Sequence, residues 1–251
     1  MPGTIRIGIG GWTFEPWRGG FYPAGLAQKR ELEFASRVLT SIEINGTYYS
    51  TFKPDSWRKW RDETPDGFVF AVKASRFCTN RKVLAGAGEA VERFLSQGLT
   101  ELGCKLGPIN WQFMATKTFE AEDFTAFLAL LPKERDGMAL RHAVEARHPS
   151  FMAPEFYDLA RRHNVAIVYA KDDTFPEIDV ATAGFTYARL MSSREDKPSG
   201  LTQTELDSIA RQVKSWARRG DVFAYFIAGA KVRNPAAAQA LIAKIDGRKT
   251  R

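Results

Sequence analysis

The sequence predicts a closed barrel of eight parallel β-strands surrounded by helices, the (β/α)8 or TIM-barrel fold of the α/β class. The first supporting observation is the length of 251 residues, since barrels of this kind typically need about 250. The second is a series of eight short apolar segments, and the third is the amphipathic helical pattern between them. We find no internal repeat or linker, so we expect a single domain over residues 1–251.

The eight predicted strands are rich in Val, Ile, Phe and Tyr. Their apolar residues run almost continuously instead of alternating with polar ones, which is typical of parallel strands covered on both faces. In chain order they are Ile5–Ile9, Leu39–Ile44, Phe68–Val72, Leu106–Phe113, Ala139–Glu145, Val165–Ala170, Phe185–Leu190 and Val222–Ile227.

The intervening segments carry local helix signals. Pro54 suits the first helical position, Thr202 begins a T-x-x-E capping box, and Asn234 is a candidate N-cap before Pro235. Gly103 is a candidate helix terminator. The predicted helices are Leu26–Arg37, Pro54–Glu63, Ala87–Leu102, Glu122–Leu131, Pro154–His163, Thr202–Arg219 and Asn234–Ile245.

An open, doubly wound sheet is the alternative fold. Such sheets bind dinucleotides at a G-x-G-x-x-G turn between the first strand and its helix. The first predicted strand here continues into Gly10-Gly11-Trp12 without that pattern. The barrel therefore explains the sequence better.

Composition excludes several classes of protein. No apolar run reaches the ~18 residues needed to cross a bilayer, and the N-terminus lacks the basic and apolar regions of a secretory signal. We therefore expect a cytoplasmic protein with no membrane contact. Cys78 and Cys104 lack metal-site spacing, and we expect both to be reduced.

The chain carries a net charge of +7 and has a pI near 9.4. Such a charge favours polyanions, but the basic residues are spread along predicted helices, where they usually form a solvated outer surface. We therefore consider nucleic acid an unlikely partner, and a small anionic molecule a better one.

Four charged residues interrupt the apolar strands or follow them directly: Glu43, Lys73, Glu145 and Arg189. An isolated charge inside a strand covered on both faces is unfavourable unless it is paired. In a TIM barrel, functional groups lie at the carboxyl ends of the strands. We therefore expect these side chains to face one another at the mouth of the barrel.

Within this mouth we predict Glu43 and Glu145 as catalytic acid and base, because neighbouring cations would separate their pKa values. Arginine and lysine side chains would also hold an anionic ligand. The predicted substrate-binding residues are Trp12, Asn45, Tyr48, Lys73, Gln112, Arg147, His148 and Arg189. The alternative is a salt-bridged layer that closes the barrel without performing chemistry.

The aromatic residues allow two interpretations. Trp12, Trp17, Phe21 and Tyr22 follow the first strand and could form either a hydrophobic lid or a stacking wall for a ring-shaped ligand. Trp57 and Trp60 lie three residues apart on a predicted helix, and we expect both to pack the helix against the barrel.

We predict no cofactor and no metal. The chain has only three histidines, which argues against a multi-zinc nuclease site. A single divalent ion held by Glu43, Glu145 and His148 is the alternative.

Five motifs in order along the chain resemble the YecE-like family, known as domain of unknown function 72. They are G-G-W-T-F-E-P-W-R-G-G-F-Y-P at 10–23, E-I-N-G-T-Y-Y at 43–49, F-V-F-A-V-K at 68–73, L-G-x-K-L-G-P-I-x-W-Q-F at 102–113 and E-A-R-H-P-S-F at 145–151. The resemblance implies an intracellular β/α barrel of bacteria or archaea with no established reaction. It also implies that the polar residues predicted at the mouth of the barrel occupy the recurring polar positions of that family.

Three positions depart from the family pattern. Thr79-Asn80 replaces a Thr-His pair, Arg189-Leu190-Met191-Ser192 replaces Arg-Leu-His-Gly, and Phe226-Ile227-Ala228 replaces Phe-Asn-Asn. These differences remove two histidines and two asparagines from the rim. They indicate a different ligand or a loss of activity, and the two remaining glutamates favour a different ligand.

The sequence thus favours an enzyme that acts on a small polar or anionic substrate, such as a phosphate or sugar derivative, by acid–base chemistry. A hydrolase or an isomerase would fit. A ligand-binding barrel without catalysis is the first alternative, and a nucleic-acid-processing protein is the second.

Overall fold

The computed structural model describes residues 2–247. The predicted domain range of 1–251 therefore includes five positions, residue 1 and residues 248–251, that lie outside the described residues. The strands of the described part are β1 (Ile5–Gly10), β2 (Ser41–Ile44), β3 (Val69–Lys73), β4 (Leu106–Gln112), β5 (Glu134–Arg135), β6 (Met138–Ala139), β7 (His142–Glu145), β8 (Ala166–Ile167), β9 (Tyr169–Lys171), β10 (Phe185–Leu190) and β11 (Asp221–Phe226).

The α-helices of residues 2–247 pack on the outer surface of the sheet. They are α1 (Glu31–Val38), α2 (Pro54–Glu63), α3 (Arg76–Thr79), α4 (Gly88–Leu95), α5 (Ala121–Ala129), α6 (Pro154–Arg162), α7 (Gln203–Ala217) and α8 (Asn234–Ile245). Short 3-10 turns connect several of them to the strands. None of the helices in the described part is both long and apolar enough to cross a lipid bilayer.

Nine parallel strands form one sheet in the order β8-β7-β4-β3-β2-β1-β11-β10-β9, while β5 and β6 form a separate antiparallel hairpin. The two end strands, β8 and β9, are separated only by Val168. β8 pairs with β7, and β9 pairs with β10. The sheet therefore curls into a nearly closed barrel, which confirms the predicted fold class.

The number of strands differs from the predicted eight because the sixth is interrupted at Val168. Thr182 provides the physical reason. Its hydroxyl accepts a hydrogen bond from the Ile167 amide at 3.1 Å and donates one to the Val165 carbonyl at 2.7 Å. A side chain thus occupies the position where β10 would otherwise pair with β8, and pairing with β10 begins only at Tyr169.

The predicted alternation of strands and helices also fails after β9. Residues 172–184 contain no helix. Asp172 accepts hydrogen bonds from the amides of Thr174 and Phe175, an Asx turn that competes with helix formation. Asp179 accepts one from the Trp216 indole at 2.9 Å, which holds this irregular segment against α7.

Several helix ends and caps differ from the prediction, and α1 begins at Glu31 instead of Leu26. The segment Ala87–Leu102 breaks after Leu95 because Gly98 has a φ of 96°, a conformation that favours glycine. Gly103 lies inside a 3-10 segment and terminates no α-helix. Asn234 is the first helical residue and not the N-cap, because its side chain contacts Ser193 and Ala228 instead. The Thr202 capping box and the position of Pro54 are confirmed.

Side chains of the strands alternate between the barrel interior and the helical layer, as the two-residue period of a strand requires. The residues that face inwards form their own packed cluster of Val69, Ala71, Ala143, Ala166, Val168, Phe185, Tyr187, Phe223 and Tyr225. Residues that face outwards, such as Ile42, Phe70 and Trp111, join the helices in the main core.

Candidate functional site

The upper end of the barrel interior is an ionic layer centred on Arg189. This residue follows Phe185 and Tyr187 at two-residue spacing on β10, so its side chain also faces inwards. Its Nη1 donates to both carboxylate oxygens of Glu145, at 2.9 and 2.7 Å, and its Nη2 donates to Glu43 at 3.2 Å. The two glutamates therefore share one guanidinium across the barrel.

Small residues neighbour the two glutamates on the inner surface. Ala71 on β3 is the register partner of Glu43, and Ala143 precedes Glu145 by two residues on β7; both alanines are fully buried. The Arg189 side chain crosses the interior to Glu43 on β2, which is the third strand from β10 around one side of the sheet.

Glu145 accepts hydrogen bonds from more side chains than Glu43 does. Besides Arg189, it accepts hydrogen bonds from Arg147 Nε at 2.8 Å and Asn110 Nδ2 at 3.2 Å. Burial alone would raise its pKa, but the charges of Arg189, Arg147 and Lys73 outweigh burial and lower the pKa to about 2. Glu145 is therefore ionised at neutral pH.

Glu43 is held by two donors. Tyr187 donates its hydroxyl to Glu43 Oε2 at 2.5 Å, and Arg189 reaches Oε1. Burial, together with the neighbouring Glu43 charge, raises the pKa of Tyr187 well above its ordinary value, so the phenol remains a proton donor. One layer below, the hydroxyls of Tyr225 and Ser41 are 2.8 Å apart and continue the polar column.

Gln112 links Arg189 to Arg147. Its amide oxygen accepts from Arg189 Nη1 at 3.1 Å and from Arg147 Nη2 at 2.9 Å. The Arg147 guanidinium also lies over the Phe175 ring, 4.4 Å from its centroid, within the usual range of a cation–π contact. The irregular segment 172–184 thus reaches the site.

Lys73 is the exception in this layer. Its side chain is only 9% exposed, yet within residues 2–247 its ammonium group has no salt bridge and no hydrogen-bond acceptor. It lies over the Tyr48 ring, with Nζ 4.2 Å from the centroid. Burial and then the positive charge of Arg189 lower its pKa to about 8, although Glu43 and Glu145 act in the opposite direction.

A cavity of about 530 Å³ opens above the ionic layer. Lys73 and Arg189 contribute to its lining, and aromatic side chains cover much of the remaining wall. The lining residues are Gly10, Gly11, Trp12, Thr13, Ile44, Asn45, Gly46, Tyr49, Phe52, Trp60, Lys73, Arg189, Ile227, Ala228, Lys231 and Asn234. This volume is within the range of small-molecule sites.

The structure brings most of the predicted mouth residues together, but in different ways. Trp12 and Asn45 line the cavity. A Cβ atom at Gly10 would lie 2.6 Å from Asn45 Nδ2, so any larger residue there would displace the Asn45 side chain. The Tyr48 ring packs against the Lys73 ammonium group, and its hydroxyl accepts a hydrogen bond from Asn80 Nδ2.

His148 has a local structural contact. Its Nδ1 accepts a hydrogen bond from the Ser150 amide and lies 2.8 Å from the Ser150 hydroxyl, which caps the short turn Pro149–Phe151. Within residues 2–247, no group of three His, Cys, Asp or Glu side chains has the arrangement of a metal site. The alternative of a divalent ion held by Glu43, Glu145 and His148 stays a prediction.

Sequence reasoning missed several residues of the site. Trp57 is fully buried and Trp60 packs against the core, as expected. Trp60 also lines the cavity and contacts Trp12 edge-on with ring centroids 5.2 Å apart, which the sequence did not indicate. Tyr187 and Asn110 were also missed. Both lie two residues before a predicted site residue on the same strand, so the period of the strand could have identified them.

The fold and this mouth define the class: a TIM-barrel protein with a buried ionic layer beneath an open cavity. The family follows from comparison with known proteins. A sequence model described as "Protein of unknown function DUF72" matches residues 6–251, and the chain belongs to this family. The resemblance found from the five motifs is confirmed.

Relatives of known sequence and structure agree with this assignment. The chain is 30% identical over 152 residues to UPF0759 protein YecE of Escherichia coli K12, a match that covers 59% of this chain and 50% of that protein. The chain thus matches about half the length of this curated relative.

Solved structures agree over almost the whole chain. A DUF72 family protein of Thermotoga maritima has a TM-score of 0.77 and 24% identity, with 96% and 98% of the two chains covered. One of Enterococcus faecalis has a TM-score of 0.75 and 16% identity, with 98% and 99% covered. These similarities support the fold alone.

Proposed function

We propose that this protein is an enzyme that binds a small anionic molecule in the mouth of the barrel and acts on it by proton transfer. The observation that carries the proposal is Lys73. Its side chain is largely buried, and its ammonium group, which has no salt bridge or hydrogen bond within residues 2–247, faces the 530 Å³ cavity.

A layer that only closes the barrel does not explain this lysine. In such a layer each buried charge needs a partner, because an unpaired charge is unfavourable in a low-dielectric interior. Arg189, Glu43 and Glu145 meet this requirement. Lys73 does not, and a ligand that carries a negative charge would supply the missing partner.

The rest of the cavity also suits such a ligand. Lys231 forms part of the wall, so positive charge comes from the end of β3 and from the connection between β11 and α8. Trp12 and Trp60 offer apolar ring faces or edges of the kind that contact sugar rings. A phosphate- or carboxylate-bearing sugar-like molecule would match both features.

The proton-transfer role falls to Lys73 in this proposal. The sequence pointed to Glu43 and Glu145 as acid and base, and these roles stay predictions. Glu145, however, is ionised and saturated with donors, so it is a poor proton donor at neutral pH. With a pKa of about 8, Lys73 is present in both protonation states near physiological pH, which suits acid–base catalysis.

The test is a thermal-shift screen of sugar phosphates, phosphate and short carboxylates, followed by mass spectrometry for products. We expect at least one anion to raise the Tm of the wild type, and we expect the shift to disappear in Lys73→Met but to persist in Lys59→Met, since Lys59 is exposed on α2. Binding without product would indicate a ligand-binding barrel. An equal shift in both variants would exclude Lys73 as the anion site.

A further inference from the structure

Two lysines within residues 2–247 are buried, and they differ in their hydrogen bonds. Lys105 is 7% exposed, and its Nζ donates to the carbonyls of Arg61 and Thr64, both at 2.6 Å, and to the Thr64 hydroxyl at 3.2 Å. It therefore closes the carboxyl end of α2. Lys73 is buried to the same degree but has no such acceptor among residues 2–247.

The reason lies in the ionic layer. Glu43 and Glu145 are the carboxylates near Lys73, and both are held by Arg189, while Arg147 takes a further contact with Glu145. The arginine therefore occupies the carboxylates that would otherwise pair with the lysine. It also adds a positive charge beside the ammonium group, which favours the neutral amine.

We propose that Lys73 is a nucleophile that forms an imine with a small aldehyde or ketone carrying an anionic group. This inference rests on the proposed function for the location of the ligand. It deepens that function by naming the reactive group of the substrate as a carbonyl. A lysine that is desolvated and next to another cation is the usual arrangement for such chemistry.

The step balances without any oxidant or reductant. The neutral Nζ attacks the carbonyl carbon and forms a carbinolamine, in which the carbonyl oxygen becomes a hydroxyl group. Loss of water then forms the C=N bond. Both hydrogen atoms of the amine leave on the original carbonyl oxygen, and solvent in the open cavity can carry these protons.

The geometry meets the requirements of this step. Lys73 is the last residue of β3 and continues the inward-facing row of Val69 and Ala71, so its side chain rises from the barrel interior to the cavity floor. Tyr48 covers one side of the ammonium group, which leaves the cavity side open to a carbonyl compound. The charged groups around it are Arg189, Glu43, Glu145 and Arg147.

The lowered pKa supplies the reactive form. At pH 8 about half of Lys73 is neutral, roughly a hundredfold more than for a lysine with the ordinary pKa of ~10.4. A less basic amine is also intrinsically less nucleophilic. We therefore expect a net labelling preference of about tenfold over exposed lysines.

The experiment traps the imine on the intact wild-type protein. Pyruvate, glyoxylate, acetaldehyde and glyceraldehyde 3-phosphate are each incubated at pH 8 with sodium cyanoborohydride, which reduces the imine to a stable secondary amine. Peptide mass spectrometry then locates the adducts. We expect Lys73 to be labelled about tenfold more than any other lysine, with labelling that rises as the pH increases from 7 to 8. The equally buried Lys105 should stay unlabelled.

The four probes are all small relative to the cavity, so failure to label Lys73 with every one of them would overturn the inference. Labelling confined to exposed lysines would do the same. These results are separable from the proposed function. If anions raise the Tm of the wild type but not of Lys73→Met, and Lys73 forms no trapped adduct, the proposed anion binding is retained and the proposed imine is rejected. Lys73→Arg keeps the charge but removes the nucleophile, so it should retain binding and lose the adduct.

Discussion

The lower and upper halves of the barrel interior have the same strand geometry but opposite chemistry. Below, Phe185, Phe223 and Val69 fill the space with apolar side chains. Four residues further along β3 and β10, charged side chains take their place, with Lys73 on β3 and Arg189 on β10 between Glu43 and Glu145. The lower half needs only shape complementarity, whereas the upper half needs each charge to find its partner. Lys73 is the charge of this upper layer that has neither a salt bridge nor a hydrogen bond among residues 2–247, and in the same residues the Nε of Arg189 is buried without a hydrogen-bond partner.

The strongest way to break the upper layer is to remove its central cation. Arg189→Met should lower the free energy of unfolding by about 3–5 kcal/mol, because two buried carboxylates would lose their shared partner. Urea denaturation measures the change. Arg162→Met, on the exposed surface of α6, is the matched control and should change stability by less than about 0.5 kcal/mol. Equal effects of the two substitutions would show that the ionic layer contributes nothing specific to stability.

An intermediate effect is expected from acid titration of the same layer. The pKa of Glu145 is lowered from 4.5 to about 2, so the folded state prefers the ionised form more strongly than the unfolded state does. This stabilisation is complete above pH 4.5 and is lost as the pH falls towards 2. Unfolding experiments across this range should show a smaller pH dependence in Glu145→Gln than in the wild type.

Glu155→Gln provides the control for this titration, since Glu155 is exposed on α6. Its pH dependence should follow that of the wild type. If Glu145→Gln also follows the wild type, the arginines do not hold this carboxylate in its ionised form.

The smallest effect on stability is expected at Lys73. At neutral pH, Lys73→Met should change the free energy of unfolding by less than about 1 kcal/mol or increase it, because an unpaired buried charge is replaced by an apolar side chain of similar length. The lowered pKa of Lys73 also determines the direction in which stability changes with pH. The unfolded state binds the proton more tightly, so wild-type stability should rise between pH 8 and 10.5, and this rise should be absent in the variant.

A large loss of stability in Lys73→Met would contradict this prediction. It would show that the lysine pairs with the glutamates in solution and belongs to the closing layer. Every buried charge in the upper half of the barrel would then be paired, and the cavity would no longer contain a lysine available to an anionic ligand.

The sequence by itself determined the barrel fold and the position of the candidate site at the carboxyl ends of the strands. The apolar segments fix the strands, because parallel strands covered on both faces exclude polar side chains. Glu43, Lys73, Glu145 and Arg189 could therefore be assigned to the mouth as the charges that interrupt this pattern. Their strand periods also place Tyr187 and Asn110 on the inner surface.

Only the tertiary structure decided which partner each charge takes. Arg189 on β10 pairs with glutamates from two other strands, β2 and β7, and the exclusion of Lys73 follows from that pairing. The interruption of the sixth strand likewise depends on Thr182, whose hydroxyl takes the Ile167 amide from fifteen residues further along the chain. Contacts of this kind join residues through distance and packing volume, which strand periodicity does not encode.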